Sequence, residues 1–416
     1  MPVGARPTGR GRIAGVRATG KRTTSRRPVC VPVVLVAVTA LVTLGAACAS
    51  GTQRAPAAST STAPRAAPTA PPCNEAAALA RWPMSRRAAQ VVAAPAIDGA
   101  VAALGPLASE GIGGLLLIGS PLPPDLAAQI SAADQLAPTP LFVMVDEEGG
   151  GVQRLGGLVP SLPWARQAAA TMTPAEVEAA ATGVGRAMKA LGVNVDLAPV
   201  LDVDGGVGPN ARDPDGLRSF SADPARVAAY GVAFMDGLLA VGVTPVLKHF
   251  PGLGGSTANT DDGPAATQPW ATLGSTGLQP FRTAVAGGAP AVMVANATVP
   301  GLSALPASLS HAVIETALRL DLGFHGLVMT DSLSTVAISA AGYTLPAAAV
   351  ASIAAGADMV LFGSTVAPVP SAADVVATAG GITAALVGAV ATGVLPEPRL
   401  DQAVLDVLAA KHVRLC

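Results

Sequence analysis

Short apolar runs alternate with longer, alanine-rich amphipathic stretches along most of this chain, and that alternation restricts the fold more than any other feature. Apolar runs of strand length, spaced by stretches of helical period, are the pattern of βα units around a parallel sheet. The expected strands are Val91–Ala96, Gly113–Ile118, Leu141–Asp146, Val193–Ala198, Val243–His249, Ala291–Ala297, Gly326–Asp331 and Asp358–Phe362. Helices are expected between most of them, among them Pro174–Leu191, Pro224–Ala240 and Ala312–Leu320. Eight strands in this order predict an α/β chain closed as a (β/α)8 TIM barrel with a single catalytic domain, with an open doubly wound sheet as the alternative. Asp146, Asp196, Lys248, His249, Asn296 and Asp331 sit in or at the ends of these apolar runs. Charge in a buried strand is costly unless paired, and barrels gather such groups at the C-terminal mouth, so the six together read as an active site.

The first 72 residues follow a different logic. Residues 1–30 carry eight basic side chains and no acidic one, and residues 31–47 carry no charge. A basic stretch followed by an apolar run and small residues is the layout of a secretory signal, expected here over residues 1–47. Gly45-Ala46-Ala47-Cys48 resembles a bacterial lipobox, with Cys48 as the lipidated residue and Leu44 one position early for that pattern. An uncleaved membrane anchor is the competing reading, although the run is short for a span of about 20 residues. Residues 48–72, built of Ala, Ser, Thr and Pro, are expected to form a disordered tether. The folded domain is then residues 73–416, on the extracytoplasmic side, anchored to the outer face of the cell membrane or secreted. Cys73 and Cys416 lie at its two ends in a compartment that permits disulfides, and a bridge between them is expected. Beyond residue 30 the chain carries 18 basic against 27 acidic side chains, with few aromatics, which argues against nucleic acid as a partner.

Four segments, in order, resemble the β-N-acetylhexosaminidase branch of glycoside hydrolase family 3. Val145-Asp146-Glu147-Glu148-Gly149-Gly150-Gly151-Val152-Gln153-Arg154 is similar to that family's D-x-E-G-G-R-V-x-R. Asp196-Leu197-Ala198-Pro199-Val200-Leu201-Asp202-Val203 leads to Leu217-Arg218-Ser219-Phe220. Lys248-His249-Phe250-Pro251-Gly252 and Met329-Thr330-Asp331-Ser332-Leu333 complete the set. The resemblance implies that Asp331 is the nucleophile and that Asp146, Arg154, Arg218, Lys248 and His249 bind the sugar. A carboxylate at a strand end suits attack on an anomeric carbon, although Asp is also a preferred helix cap.

The departures bear on the acid/base. In this branch it is commonly a histidine in an Asp-Ser-His triplet four residues past K-H-F-P-G-H-G. Here Asn259-Thr260-Asp261 fills that position, and Leu253 replaces the histidine of the G-H-G element. The chain's four histidines, His249, His311, His325 and His412, all lie outside this loop. The arginine after Gly-Gly is Gly151, and a histidine often found on the following strand is Asn296. Asp261 is the candidate acid/base, with Asp262 behind it, since burial or a neighbouring negative charge lets a carboxyl hold its proton.

The expected activity is a retaining exo-glycosidase acting on terminal β-linked N-acetylglucosamine, with peptidoglycan or muropeptide fragments as substrates of a wall-facing enzyme. No metal, nucleotide or other cofactor is expected, because two carboxyls carry the chemistry. The expected partners are the glycan and the membrane, through a lipid anchor, and the chain is expected to be a monomer. The alternatives are another family 3 β-glycosidase, such as a β-glucosidase, or a catalytically inactive sugar-binding lipoprotein. Between water and phosphate as acceptor, the added loop carboxylates favour water by repelling an anion.

Overall fold

The computed structural model describes residues 74–363 and 369–416, which belong to one compact unit. The signal and tether expected over residues 1–72, Cys48 and Cys73 lie outside the described residues.

All eight expected strands form, and all pair in parallel. In chain order they are β1 (Val92–Ile97), β2 (Gly114–Ile118), β3 (Phe142–Val145), β4 (Val195–Asp196), β5 (Thr244–Phe250), β6 (Ala291–Val294), β7 (Leu327–Thr330) and β8 (Val360–Leu361). The hydrogen-bonded order runs β7-β6-β5-β4-β3-β2-β1-β8. The Met329↔Met359 bridge and the bond from Leu333 N to Leu361 O (2.8 Å) join β7 to β8 and close the ring. The chain is therefore a (β/α)8 barrel and not the open sheet.

The apolar runs are continuous because each strand is covered twice, by the barrel interior and by a helix. Leu116, Met144, Val195, Val246, Met293 and Met329 fill the interior, while Leu115, Val143, Leu247 and Val328 belong to the larger core outside it. Helices Pro174–Ala190, Pro224–Leu239 and the π-helical Ala312–Asp321 match the sequence expectation within two residues. The first starts on a full capping box, Thr173 with Glu176. Helix Ala372–Ala391 is long and apolar enough to cross a membrane but packs here against β1 and against helices Met84–Gln90 and Leu345–Ala355. The last helix, Glu397–Ala410, closes the lower end of the barrel, sending Val407 into the interior cluster. Beside it, the buried Asp358 accepts from Arg319 (2.6 Å), Arg399 (2.8 Å) and Val328 N (2.9 Å).

Candidate active site

The strands deliver their polar ends to one mouth. Asp146 follows β3, Lys248 and His249 lie in β5, and Asp331 follows β7. In regular alternation Lys248 and His249 would face opposite sides, but the register of β5 against β6 slips between Leu247 and Phe250 and both line the same cavity. Arg154 comes from the end of a small hairpin, Glu147–Gly149 paired with Val152–Gln153. Its turn needs glycine: Gly150 has φ +61°, and a Cβ there would sit 2.0 Å from the Trp164 ring. Arg218 ends a 3-10 turn in the long segment after β4, and Asp261 lies in the segment after β5. A cavity of about 290 Å³ is lined by all seven residues named from the sequence, Asp146, Arg154, Arg218, Lys248, His249, Asp261 and Asp331. That volume is at the small end of ligand cavities and suits one sugar ring rather than an extended chain.

The cations are held in fixed positions. Arg218 donates to Glu148 through Nε and Nη2, both at 2.8 Å, and Lys248 Nζ reaches Glu148 at 2.7 Å and Asp146 at 2.5 Å. Burial opposes the charge on Glu148, but Arg218 and Lys248 outweigh it and hold its carboxyl well below the ordinary range. Burial likewise opposes the charge on Lys248, and Asp146 and Glu148 reverse the effect, so the ammonium is retained. Arg154 lines the cavity with Nε buried and without a hydrogen-bond partner among the described residues.

His249 is set by Asp202, which accepts from its Nδ1 (2.7 Å), its backbone N–H and Leu253 N. Burial, and then Arg218, lowers the imidazole pKa to about 4, so the ring is neutral at pH 7. With Nδ1–H given to Asp202, Nε2 is left as an acceptor for a hydroxyl.

Asp331 stands at the end of β7, its backbone N–H bonded to Val294 O (2.9 Å) and its Oδ1 accepting from Ser332 N (2.7 Å). The following helix, Val336–Ala340, has Thr335 at its N-cap position, so Asp331 does not serve as that cap. Burial raises the Asp331 pKa, His249 opposes the rise and Asp261 adds to it. Asp261 is raised too, by burial first, with Arg218 opposing and Asp262 and Asp146 adding. The two cavity carboxyls therefore feel each other's charge. The loop carrying Asp261 is tied down at both sides: Asn259 N donates to Ala211 O (3.1 Å), and Ala337 N donates to Thr260 O (3.1 Å).

Two of the six polar residues read from the strands lie outside this cavity. Asp196 is the fully buried last residue of β4 and accepts from Glu147 N (3.0 Å). Asn296 donates to Ser332 O (2.7 Å) and accepts from Ser308 Oγ (2.6 Å), bracing the segment after Asp331. Both are buried polar groups that fasten one strand end to another, which sequence position alone does not separate from ligands. Conversely, Glu148, Asp202 and Arg166 were not singled out. The first two stand inside the quoted motifs. Arg166 lies in helix Ala165–Thr171 and reaches three carbonyls of the Arg218 segment, Asp204, Gly216 and Ser219 (2.5, 3.0 and 3.2 Å), with no local signal to mark it.

Residues 106–410 match the model of the glycosyl hydrolase family 3 N terminal domain. A curated relative, the beta-hexosaminidase LpqI of Mycobacterium tuberculosis, is 39% identical over 283 residues, covering 66% of this chain and 69% of that protein. A crystal structure of a family 3 glycosyl hydrolase from Mycobacterium smegmatis superposes with a TM-score of 0.71 at 37% identity, over 81% of this chain and 98% of the other. A family 3 beta-N-acetylglucosaminidase from Paenibacillus sp. gives a TM-score of 0.71 at 30% identity, over 80% of this chain and 62% of the other. With its four motifs meeting at the mouth of the closed barrel, this chain belongs to glycoside hydrolase family 3.

Proposed function

We propose that the chain is a retaining exo-glycosidase that hydrolyses terminal β-linked N-acetylglucosamine, with Asp331 as nucleophile and Asp261 as acid/base. The observation that carries this reading is the convergence of all seven named residues on one cavity the size of a single sugar. The names of the Mycobacterium tuberculosis and Paenibacillus relatives supply the sugar. Asp331 attacks the anomeric carbon to form a glycosyl ester while Asp261 gives its proton to the departing oxygen. Asp261, now ionised, takes a proton from water, and the resulting hydroxide displaces Asp331. Arg154, Arg218, Lys248, Asp146 and the Nε2 of His249 hold the hydroxyls, donors and acceptors both being present. The loop carboxyls Asp261 and Asp262 favour water over phosphate as the acceptor by repelling an anion.

The replacement of the family's loop histidine favours one other reading, an inactive sugar-binding protein. Asp261 answers it, because it lines the cavity and its surroundings favour the protonated form that an acid needs. An extracytoplasmic position, with Cys48 lipidated and cell-wall fragments as substrate, belongs to the same proposal. A 5-fluoro-N-acetylglucosaminyl fluoride tests the mechanism by accumulating the ester. The expected adduct maps to the peptide containing Asp331. An adduct on another residue, with turnover intact, would displace the assignment.

A further inference from the structure

Beside the sugar-facing residues, three buried side chains offer ligand atoms to a common point that the glycosidase chemistry does not use. One atom each from Asp202, Asp215 and His249 lie within 4.8 Å of one another. Asp202 is well supplied with donors, but Asp215 is not. Its side chain is fully buried, and neither carboxylate oxygen has a hydrogen-bond partner among the described residues. The adjacent cation, Arg218, leaves Nη1 3.7 Å from Asp215 Oδ1 and commits Nε and Nη2 to Glu148. A buried carboxylate without donors is costly, and Asp215 beside Asp202 and an imidazole makes a mixed oxygen and nitrogen ligand set.

We propose that Asp202, Asp215 and His249 form a divalent-cation site that takes a zinc-type ion and regulates the sugar site next to it. One nitrogen and two carboxylates suit zinc, whereas calcium and magnesium want six or more oxygen ligands that these three side chains do not supply. Two carboxylates offset the ion's charge, and Glu148 already offsets that of Arg218. The ion takes the place of the proton between Asp202 and His249, which moves to Nε2, so the ring stays a neutral imidazole. The 2.7 Å contact of Nδ1 with Asp202 then opens to about 3.3 Å, the span of two bonds of about 2.0–2.1 Å at a tetrahedral angle. His249 lines the sugar cavity, so an ion on Nδ1 makes Nε2 a donor where the sugar meets an acceptor and slows turnover. The binding claim stands apart from the proposed activity; only the regulatory clause rests on it.

The test uses the folded chain dialysed against Zn²⁺, with elemental analysis and anomalous diffraction at the zinc edge. The expected result is one zinc per chain within about 2.0–2.3 Å of all three residues. Affinity should fall at least tenfold in Asp215→Asn and persist in Asp331→Asn. No stoichiometric zinc, or zinc bound on Asp331 and Asp261 instead, overturns the site. If Asp215→Asn fails to fold, the anomalous map of the unaltered chain decides alone. Turnover that zinc lowers and a chelator restores supports the regulatory clause; turnover unaffected by zinc at the occupied site overturns that clause.

Discussion

Asp331 and Asp261 share a cavity, and the proposed mechanism needs one ionised while the other is protonated. Burial raises both carboxyls; Lys248 favours the ionised form of Asp331 and Arg218 that of Asp261, while Asp262 and Asp146 favour the protonated form of Asp261. A nucleophile must be ionised and an acid protonated, so kcat/KM should fall below the pKa of Asp331 and above that of Asp261, giving a bell. Asp261→Asn should remove the alkaline limb and lower kcat/KM by about 10²–10⁴-fold for a poor leaving group, less for 4-nitrophenol, which needs little protonation. An unchanged pH profile and rate in that variant would remove Asp261 from the chemistry. At this scale the sequence was informative where a family motif surrounds the residue, as for Asp331, Lys248 and Arg218. It was less so for Asp196 and Asn296, because a buried polar residue that braces strands and one that binds a ligand leave the same mark in an apolar run.

The elements that carry the site are strand ends, and the loops between them are fixed by side chains distant in sequence. Arg166 ties the Arg218 segment to helix Ala165–Thr171, and Asp204 accepts from Gly255 N (2.8 Å), joining the segments after β4 and β5. Glu148 is the most exposed to failure, since it alone balances both Arg218 and Lys248 across two elements. Glu148→Ala should destabilise the fold by about 3–5 kcal/mol, the usual consequence of removing one partner of a buried ion pair, because Arg218 then keeps only Asp215 as an acidic partner among the described residues, at 3.7 Å; urea melts read it. A loss under 1 kcal/mol would mean that Arg218 and Lys248 find other partners. Strand and helix positions were legible because two-sided burial gives continuous apolar runs and capping residues mark helix starts, as at Thr173 and Pro174. The bonds between loops were not legible, because no local pattern records which arginine meets which carbonyl.

Across the whole molecule, the catalytic mouth carries the motifs and the lower end carries stability, and the sequence marked only the first. Lys411, just past the last helix, is the clearest case: its Nζ is buried without a hydrogen-bond partner among the described residues, 5.2 Å from the Phe142 ring. Burial lowers its pKa to about 7, with Asp134 opposing. Between pH 7 and the unfolded value near 10.4, the unfolded chain binds more protons, so stability should rise with pH across that window. Lys411→Met should raise Tm by a few degrees at pH 6–7, with the gain shrinking towards pH 10. A gain independent of pH would point to packing alone. The two ends of the domain meet where Arg414 pairs with Glu75, and Cys416 is disulfide-bonded. We propose as its partner Cys73, which lies outside the described residues; reduction should then cost about 2–5 kcal/mol, and Cys73→Ser should match it. The account rests above all on Asp331 as the nucleophile of a working hydrolase. The most direct test is release of 4-nitrophenol from its β-N-acetylglucosaminide and its β-glucoside by the folded domain and by Asp331→Asn. Turnover of the first substrate, reduced by about 10⁴-fold or more in the variant, is expected; turnover that survives Asp331→Asn, or none by folded wild-type protein on either substrate, would contradict it.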